Sequence, residues 1–213
     1  MKTDDLVSFL ATGITPVRPH ATTRRLAAAV ALGLLASVLI VASRFHFRSD
    51  LASAVFLPMF QIKMFFFAAI GWAGFVMTWR LAHPGGRAGR AWLGLVLPVA
   101  AICLLALAAV AQAEPGERLV LIMRGDWKSC SAAILIAAVP PMIAGFAALR
   151  TLGPTRPMLA GAAVGAMSGG LGAVAYALHC PQLVSPYWAM WYIPAIGCTV
   201  GVGALLGHRL LRW

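Results

Sequence analysis

Six stretches of predominantly apolar residues follow one another along the chain, and they fix most of what it can fold into. A hydrocarbon core of about 30 Å needs about 20 such residues in a helix. In lipid every backbone N–H and C=O must be satisfied internally, which leaves helices or closed barrels as the spanning structures. The predicted spans are residues 26–43, 62–79, 92–113, 131–149, 158–178 and 188–206. The 25 residues before the first span include Asp4 and Asp5, and no small-residue cleavage site stands out behind it. That span is therefore expected to be a retained helix rather than a signal peptide. The chain is 61% hydrophobic and 11% charged, against about 25% charged residues in an ordinary soluble domain. This excludes a water-soluble globular enzyme, and the abundance of apolar residues excludes disorder. The expected fold class is all-α, a polytopic membrane protein built as a six-transmembrane-helix bundle with short loops.

An even number of spans puts both termini on one side. Taking that side as the cytoplasm, its segments hold 11 Lys and Arg: Lys2, Arg18, Arg24, Arg25, Arg80, Arg87, Arg90, Arg150, Arg156, Arg209 and Arg212. The outer segments hold six: Arg44, Arg48, Lys63, Arg118, Arg124 and Lys128. The positive-inside rule favours both ends inside. The same rule gives the net charge of +11 a membrane explanation, and no direct nucleic-acid binding is expected. Pro and Gly at 83–86 and 154–157 end helices in the inner connections. No connection is long enough for a folded domain outside the bilayer.

Within the spans Lys63 is the one Lys or Arg near an interior, close to the outer boundary, where its ammonium is expected to snorkel to the headgroups, with a functional role as the alternative. No span carries Asp, Glu or His at its centre, which argues against proton coupling. Gly161, Gly165 and Gly169 repeat every four residues and should let another helix approach closely. Gly197, Gly201 and Gly203 suggest a similar face in the last span. Pro140-Pro141 should break the hydrogen-bond ladder of the fourth span and kink it. Tyr176, Tyr187, Trp188, Trp191 and Tyr192 are expected to form an interfacial aromatic belt.

Two parts are candidates for function. In the N-terminal segment, Thr3 can cap a helix whose first turn carries Asp4 and Asp5, where the dipole favours anions. Leu6, Phe9 and Leu10 then share one face, Gly13 ends the helix, and Pro16 and Pro19 keep the next stretch extended. Such a short amphipathic piece is marginal alone. It can lie on the inner leaflet or enter the groove of a soluble partner. The second part is the cysteine set. None of the four shows zinc-module spacing. Cys103 and Cys198 fall inside spans, where a free cysteine is normally a small buried hydrophobe. Cys130 and Cys180 both fall at the outer surface at similar depth. They could form a static disulfide, remain unrelated thiols, or share a soft metal ion in an oxidising compartment. His179 could add a ligand or lower a thiol pKa.

Several short stretches spread over nearly the whole chain then carry a resemblance: Thr3-Asp4-Asp5-Leu6 with Pro16-Val17, Lys63, Arg80-Leu81-Ala82-His83-Pro84-Gly85, Trp127-Lys128-Ser129-Cys130, and Pro154 to Pro157. To these add Tyr176-Ala177-Leu178-His179-Cys180, Trp191-Tyr192 and Arg209-Leu210-Leu211-Arg212-Trp213. In order and spacing they resemble the NrsF-type membrane anti-sigma factors, six-helix negative regulators of ECF sigma factors.

The resemblance implies that residues 1–25 form a cytoplasmic segment that binds and sequesters an ECF sigma factor; its acidic first turn and apolar stripe make Asp4, Asp5, Leu6, Phe9 and Leu10 the expected contacts. Residues 26–213 would be a six-helix sensor domain in the bacterial inner membrane, where Cys130 and Cys180, with His179, perceive oxidative or heavy-metal stress. The same three side chains are candidate ligands for a transient heavy-metal ion, and no resident cofactor is expected. Where an acidic residue is expected in relatives, this chain has Gln182-Leu183-Val184, which favours thiol chemistry over a carboxylate-bearing metal site. The rival function is a small transporter or channel for a neutral or metal substrate. Catalysis is not expected, because the five histidines are scattered at 20, 46, 83, 179 and 208.

Overall fold

The computed structural model describes residues 3–12, 20–83, 85–123 and 127–211. Over these residues the chain is all-α. The helices are α1 (Thr3–Ala11), α2 (Ala21–Arg44), α3 (Leu51–Ala54), α4 (Pro58–Leu81), α5 (Leu93–Gln112), α6 (Arg118–Ile122), α7 (Trp127–Arg150), α8 (Pro157–Ala177), α9 (Ser185–Tyr187) and α10 (Ile193–Leu210). A 3-10 turn at Gly89–Trp92 leads into α5, and a π-turn at Trp188–Tyr192 joins α9 to α10. Six segments are long and apolar enough to cross a bilayer: Thr22–Arg44, Pro58–Leu81, Gly89–Gln112, Ser129–Arg150, Pro157–Ala177 and Ser185–Leu210. They match the expected spans within a few residues at each end. Pro58 and Pro157 sit in the first turns of α4 and α8, where a missing N–H removes no intrahelical bond.

Helix α8 is the central post of the bundle. Gly161 and Gly165 lie against Gly203 and Gly207 of α10 and against the Thr199 carbonyl, so closely that a methyl group at either would collide with backbone. Gly170 meets Gly71 of α4, and Gly172 meets Ala138 of α7. Small residues on three sides of one helix therefore let three neighbours approach it at backbone distance, the packing that lipid favours over bulky interdigitation. The glycines of α10 divide differently from the expectation. Gly203 is at the contact, joined by Gly207, whereas Gly197 and Gly201 have no heavy atom within 4 Å of where a Cβ would sit.

Two buried hydroxyls bond carbonyls of their own helices. Thr78 Oγ1 donates to the Gly74 carbonyl at 2.8 Å and Ser168 Oγ to that of Val164 at 2.7 Å, the back-bonding open to Ser and Thr in apolar surroundings. Pro140-Pro141 does not interrupt α7, which runs unbroken from Trp127 to Arg150 with Pro141 wedged against Gly33 of α2. Cys103 and Cys198, expected to be buried, are exposed on the outside of the bundle. Lipid solvates a thiol about as well as a protein core does, so an apolar position carries no information about which way it faces.

The arginine-rich end is tied together by hydroxyl groups. Thr151 and Thr155 of the α7–α8 connection accept from Arg25 Nη1 at 2.8 Å and from the Gly85 N–H at 3.2 Å. Trp79 Nε1 near the end of α4 donates to Thr23 Oγ1 at the start of α2, at 3.1 Å.

Candidate functional site

Lys63 does not snorkel. Its side chain is fully buried, and its Nζ donates to the carbonyls of Cys180 at 3.2 Å and Gln182 at 3.1 Å. The ammonium also stands 4.9 Å from the centre of the Tyr192 ring and 6.0 Å from that of Trp188. A buried cation is costly unless hydrogen-bonded. Two backbone acceptors and the faces of aromatic rings meet that need. The Gln182 carbonyl accepts a second bond, from Trp188 Nε1 at 3.0 Å, so the segment after Cys180 is pinned from two helices.

Four of the five residues expected to form an interfacial belt are buried, and two of them, Trp188 and Tyr192, face this ammonium. Tyr176, Tyr187, Trp188 and Tyr192 are all at least 97% buried. Phe67 stacks on Tyr192 with ring centres 4.7 Å apart. Trp188 and Tyr192 are the first and last residues of the π-turn. Pro194 has no N–H to give, and the Ile193 N–H bonds back five residues to the Trp188 carbonyl. This inserts one residue into the helix, and Trp188 and Tyr192, four residues apart, are both buried. Ser131 Oγ of α7 donates to the Trp191 carbonyl at 2.9 Å, and Trp191 Nε1 to that of Ile122 at 2.9 Å, fixing the turn against its neighbours.

Cys130 and Cys180 belong to this same cluster, together with Phe67, Ile134 and the aromatic residues above. Both are free thiols. Cys130 is fully buried and Cys180 is 3% exposed, so neither lies at the surface as expected. The Tyr187 hydroxyl is within hydrogen-bonding reach of the Cys130 thiol. The Tyr192 Oη is buried without a hydrogen-bond partner.

His179, the remaining expected sensor residue, occupies the rim. Its Nδ1 is 2.7 Å from the His46 carbonyl, which can only accept, so Nδ1 carries the proton. The ring packs against Phe45 and Tyr176 at 5.8 and 5.5 Å between centres. His46 itself has a positive φ of 63°, the left-handed conformation that lets its carbonyl turn back toward α8. Among the described residues no group of three His, Cys, Asp or Glu side chains stands where it could hold a metal ion.

Arg48 completes this end of the bundle. Its Nε and Nη2 donate to Asp50 Oδ1 and Oδ2 at 2.6 and 2.7 Å, a bidentate fork. Its backbone N–H bonds the Leu178 carbonyl at 3.3 Å, and Nη1 is buried without a partner. The hydrogen bond from Arg48 holds the Asp50 carboxyl below its ordinary range. The same bond holds the guanidinium above its own, with attraction to Asp50 adding to it.

The other candidate part precedes α2 in the chain, and α2 begins at the opposite end of the bundle. Helix α1 begins at Thr3 itself, with Asp4 and Asp5 in its first turn. Leu6 is 42% and Phe9 74% exposed, so the apolar face is unburied. The Leu10 side chain, Gly13, Pro16, Val17, Pro19, Pro84, Asp126, the side chains of Trp127 and Lys128, and the terminal Arg212-Trp213 lie outside the described residues. Sequence reasoning missed Arg48 and misplaced Lys63. The available signal was the isolated cation in a phenylalanine-rich span, which is costly enough in lipid to imply a built site.

The family model described as "NrsF: Negative regulator of sigma F" matches residues 10–213. Over 213 residues the chain is 36% identical to the probable anti-sigma-F factor NrsF of Azospira oryzae, covering 100% of both. It is 37% identical over 214 residues to the anti-sigma-F factor NrsF of Caulobacter vibrioides, again with 100% of each covered. No solved structure matches the chain.

Proposed function

The chain belongs to the NrsF family of negative regulators of sigma F, and from that footing we propose that its N-terminal segment sequesters an ECF sigma factor at the cytoplasmic membrane. The family is regulatory and not catalytic. The observation that carries the proposal beyond membership is α1, whose apolar face, with Leu6 and Phe9, stays exposed at the foot of a membrane anchor. An isolated helix of this length is marginal in water, and docking that face in a partner's groove would stabilise it. Asp4 and Asp5 then meet basic residues of the sigma factor that would otherwise engage core polymerase or DNA. The excess of Lys and Arg at this end of the bundle supports its placement in the cytoplasm.

The thiol cluster at the opposite end is the sensor in this reading. Cys130 on α7 and Cys180 after α8 share one sealed aromatic environment. A new bond to either sulfur therefore alters how two helices are held. An oxidant would couple or oxidise the thiols, and a soft metal ion would take both as thiolates. His179 holds the end of α8 to the α2–α3 connection and is the nearest further ligand along the chain. A tenfold release of the sigma factor requires only about 1.4 kcal/mol of differential binding.

The test is capture of the ECF sigma factor encoded in the neighbouring gene by full-length protein in detergent. Capture that is lost when Leu6, Phe9 and Leu10 are all changed to Asp supports sequestration by α1. Capture unaffected by the triple change would place the binding surface elsewhere.

A further inference from the structure

Two hydrogen-bonding side chains, Lys63 and Trp79, lie near opposite ends of one unbroken helix. At one end of α4, Lys63 Nζ holds the carbonyls of Cys180 and Gln182. At the other, Trp79 Nε1 holds Thr23 Oγ1 in the first turn of α2, directly after the N-terminal segment. At 1.5 Å per residue the two side chains are spaced about 24 Å along the helix axis. Between them α4 is seated on α8 by backbone contact, Gly71 against Gly170 and Gly74 against Met167. Toward α2 there is instead an open apolar groove lined by Ala27, Val30, Leu34, Trp72 and Phe75. The Trp79–Thr23 bond therefore ties together two helices that are otherwise loosely joined over this stretch.

We infer that Lys63 is the latch of the switch: its grip on the Cys180–Gln182 backbone sets the seat of α4, and through Trp79 and Thr23 that seat sets the root of the sigma-binding segment. The inference rests on the function proposed above and names the residues that regulate it. A charge inside a span is retained against a penalty, and the hydrogen bonds of this one go to backbone carbonyls. Backbone acceptors move whenever Cys180 moves. A rearrangement at the thiol therefore removes the partners of the ammonium, and the helix carrying it must reseat. Packed interfaces change between discrete arrangements rather than deforming smoothly, so a glycine-seated helix can pass the displacement along its length. Lys63 acts through these contacts, and the inference gives it a positioning role.

The experiment uses full-length protein in lipid nanodiscs with thiols kept reduced, and measures affinity for the sigma factor of the neighbouring gene. Lys63→Met keeps the length of the side chain and removes its donors. It is expected to weaken binding about tenfold or more without any oxidant, as though the signal were already present. Hydrogen exchange in the same sample should rise at 178–184 and also at 20–25, with α7 and α8 unchanged. A merely local packing defect would not reach 20–25. Trp79→Phe, remote from the thiols, covers the case in which Lys63→Met does not fold. It should weaken binding in the same sense while leaving exchange at 178–184 as in the wild type. Wild-type affinity in folded Lys63→Met, or in Trp79→Phe, would overturn the latch while leaving the proposed function standing. Failure of the reduced wild type itself to bind would overturn both.

Discussion

Ser37 Oγ on α2 lies 2.6 Å from the carbonyl oxygen of Ala137 on α7. Ala137 is four residues before Pro141, the position whose missing N–H would have satisfied that carbonyl. The hydroxyl of a neighbouring helix supplies the bond that proline removes, which is one way a helix can continue through a proline in lipid. Ser37 also stands 2.8 Å from the Gly33 carbonyl of its own helix, so its single proton is shared between two acceptors. Ser37→Ala should destabilise the bundle by about 1 kcal/mol. Pro141→Ala restores an N–H to Ala137, and in that background the cost of Ser37→Ala should largely vanish. Denaturation of the four proteins of this cycle in mixed micelles checks the coupling; additive effects would contradict it.

Glycines on the two sides of α10 should respond oppositely to one methyl group. Gly161→Ala on α8 drives a Cβ into α10 backbone at Gly203 and Gly207, and overpacking of this kind costs about 1–3 kcal/mol. Gly201→Ala meets open space and gains up to about 1 kcal/mol of helix propensity. Thermal unfolding in detergent should therefore lower the midpoint for the first and hold or raise it for the second.

The Arg48–Asp50 fork gives a pH dependence with a definite sign. Its carboxyl titrates below the ordinary range in the folded protein, chiefly because of the hydrogen bond from Arg48. Its contribution to stability is thus complete above about pH 4 and is lost as pH falls through the lowered value. Asp50 is exposed and the pair is worth little, so the readout is the titration itself. Carboxyl NMR should place the Asp50 midpoint below that of a reference peptide, and Arg48→Gln should return it to the ordinary range.

Replacing both Cys130 and Cys180 with Ser should leave an inserted, sigma-binding protein that no longer responds. A reporter driven by the sigma factor would stay silent under thiol oxidants or soft metals in that strain and would respond in the wild type. Normal induction with both thiols absent would remove them from the sensor.

How much of this was legible in the sequence depends on what each residue answers to. The six spans were readable because an apolar run of about 20 residues has one stable fate in a bilayer. The Gly161 to Gly169 face was readable because its four-residue period is a property of one helix. Which way an apolar residue faces was not, since lipid and protein core reward the same side chains. Cys103 and Cys198 therefore came out exposed, and the tyrosines near Trp188 came out buried. The burial of Lys63 depends on carbonyls 117 and 119 residues away. Local pattern carries neither. The short helix at the N-terminus was legible because its pattern lies on a single local element, and Thr3–Ala11 is helical.

The most direct measurement of the central claim is the affinity of one nanodisc sample for the sigma factor before and after thiol modification. Diamide is a suitable agent, because in becoming its hydrazine it takes two electrons and two protons from a pair of thiols as a sulfur–sulfur bond forms. Mass spectrometry confirms that Cys130 and Cys180 have reacted. The account predicts tight binding when reduced and a loss of about tenfold or more after modification, with no change in the double Ser variant. Equal affinity before and after, with both thiols shown to be modified, would contradict it.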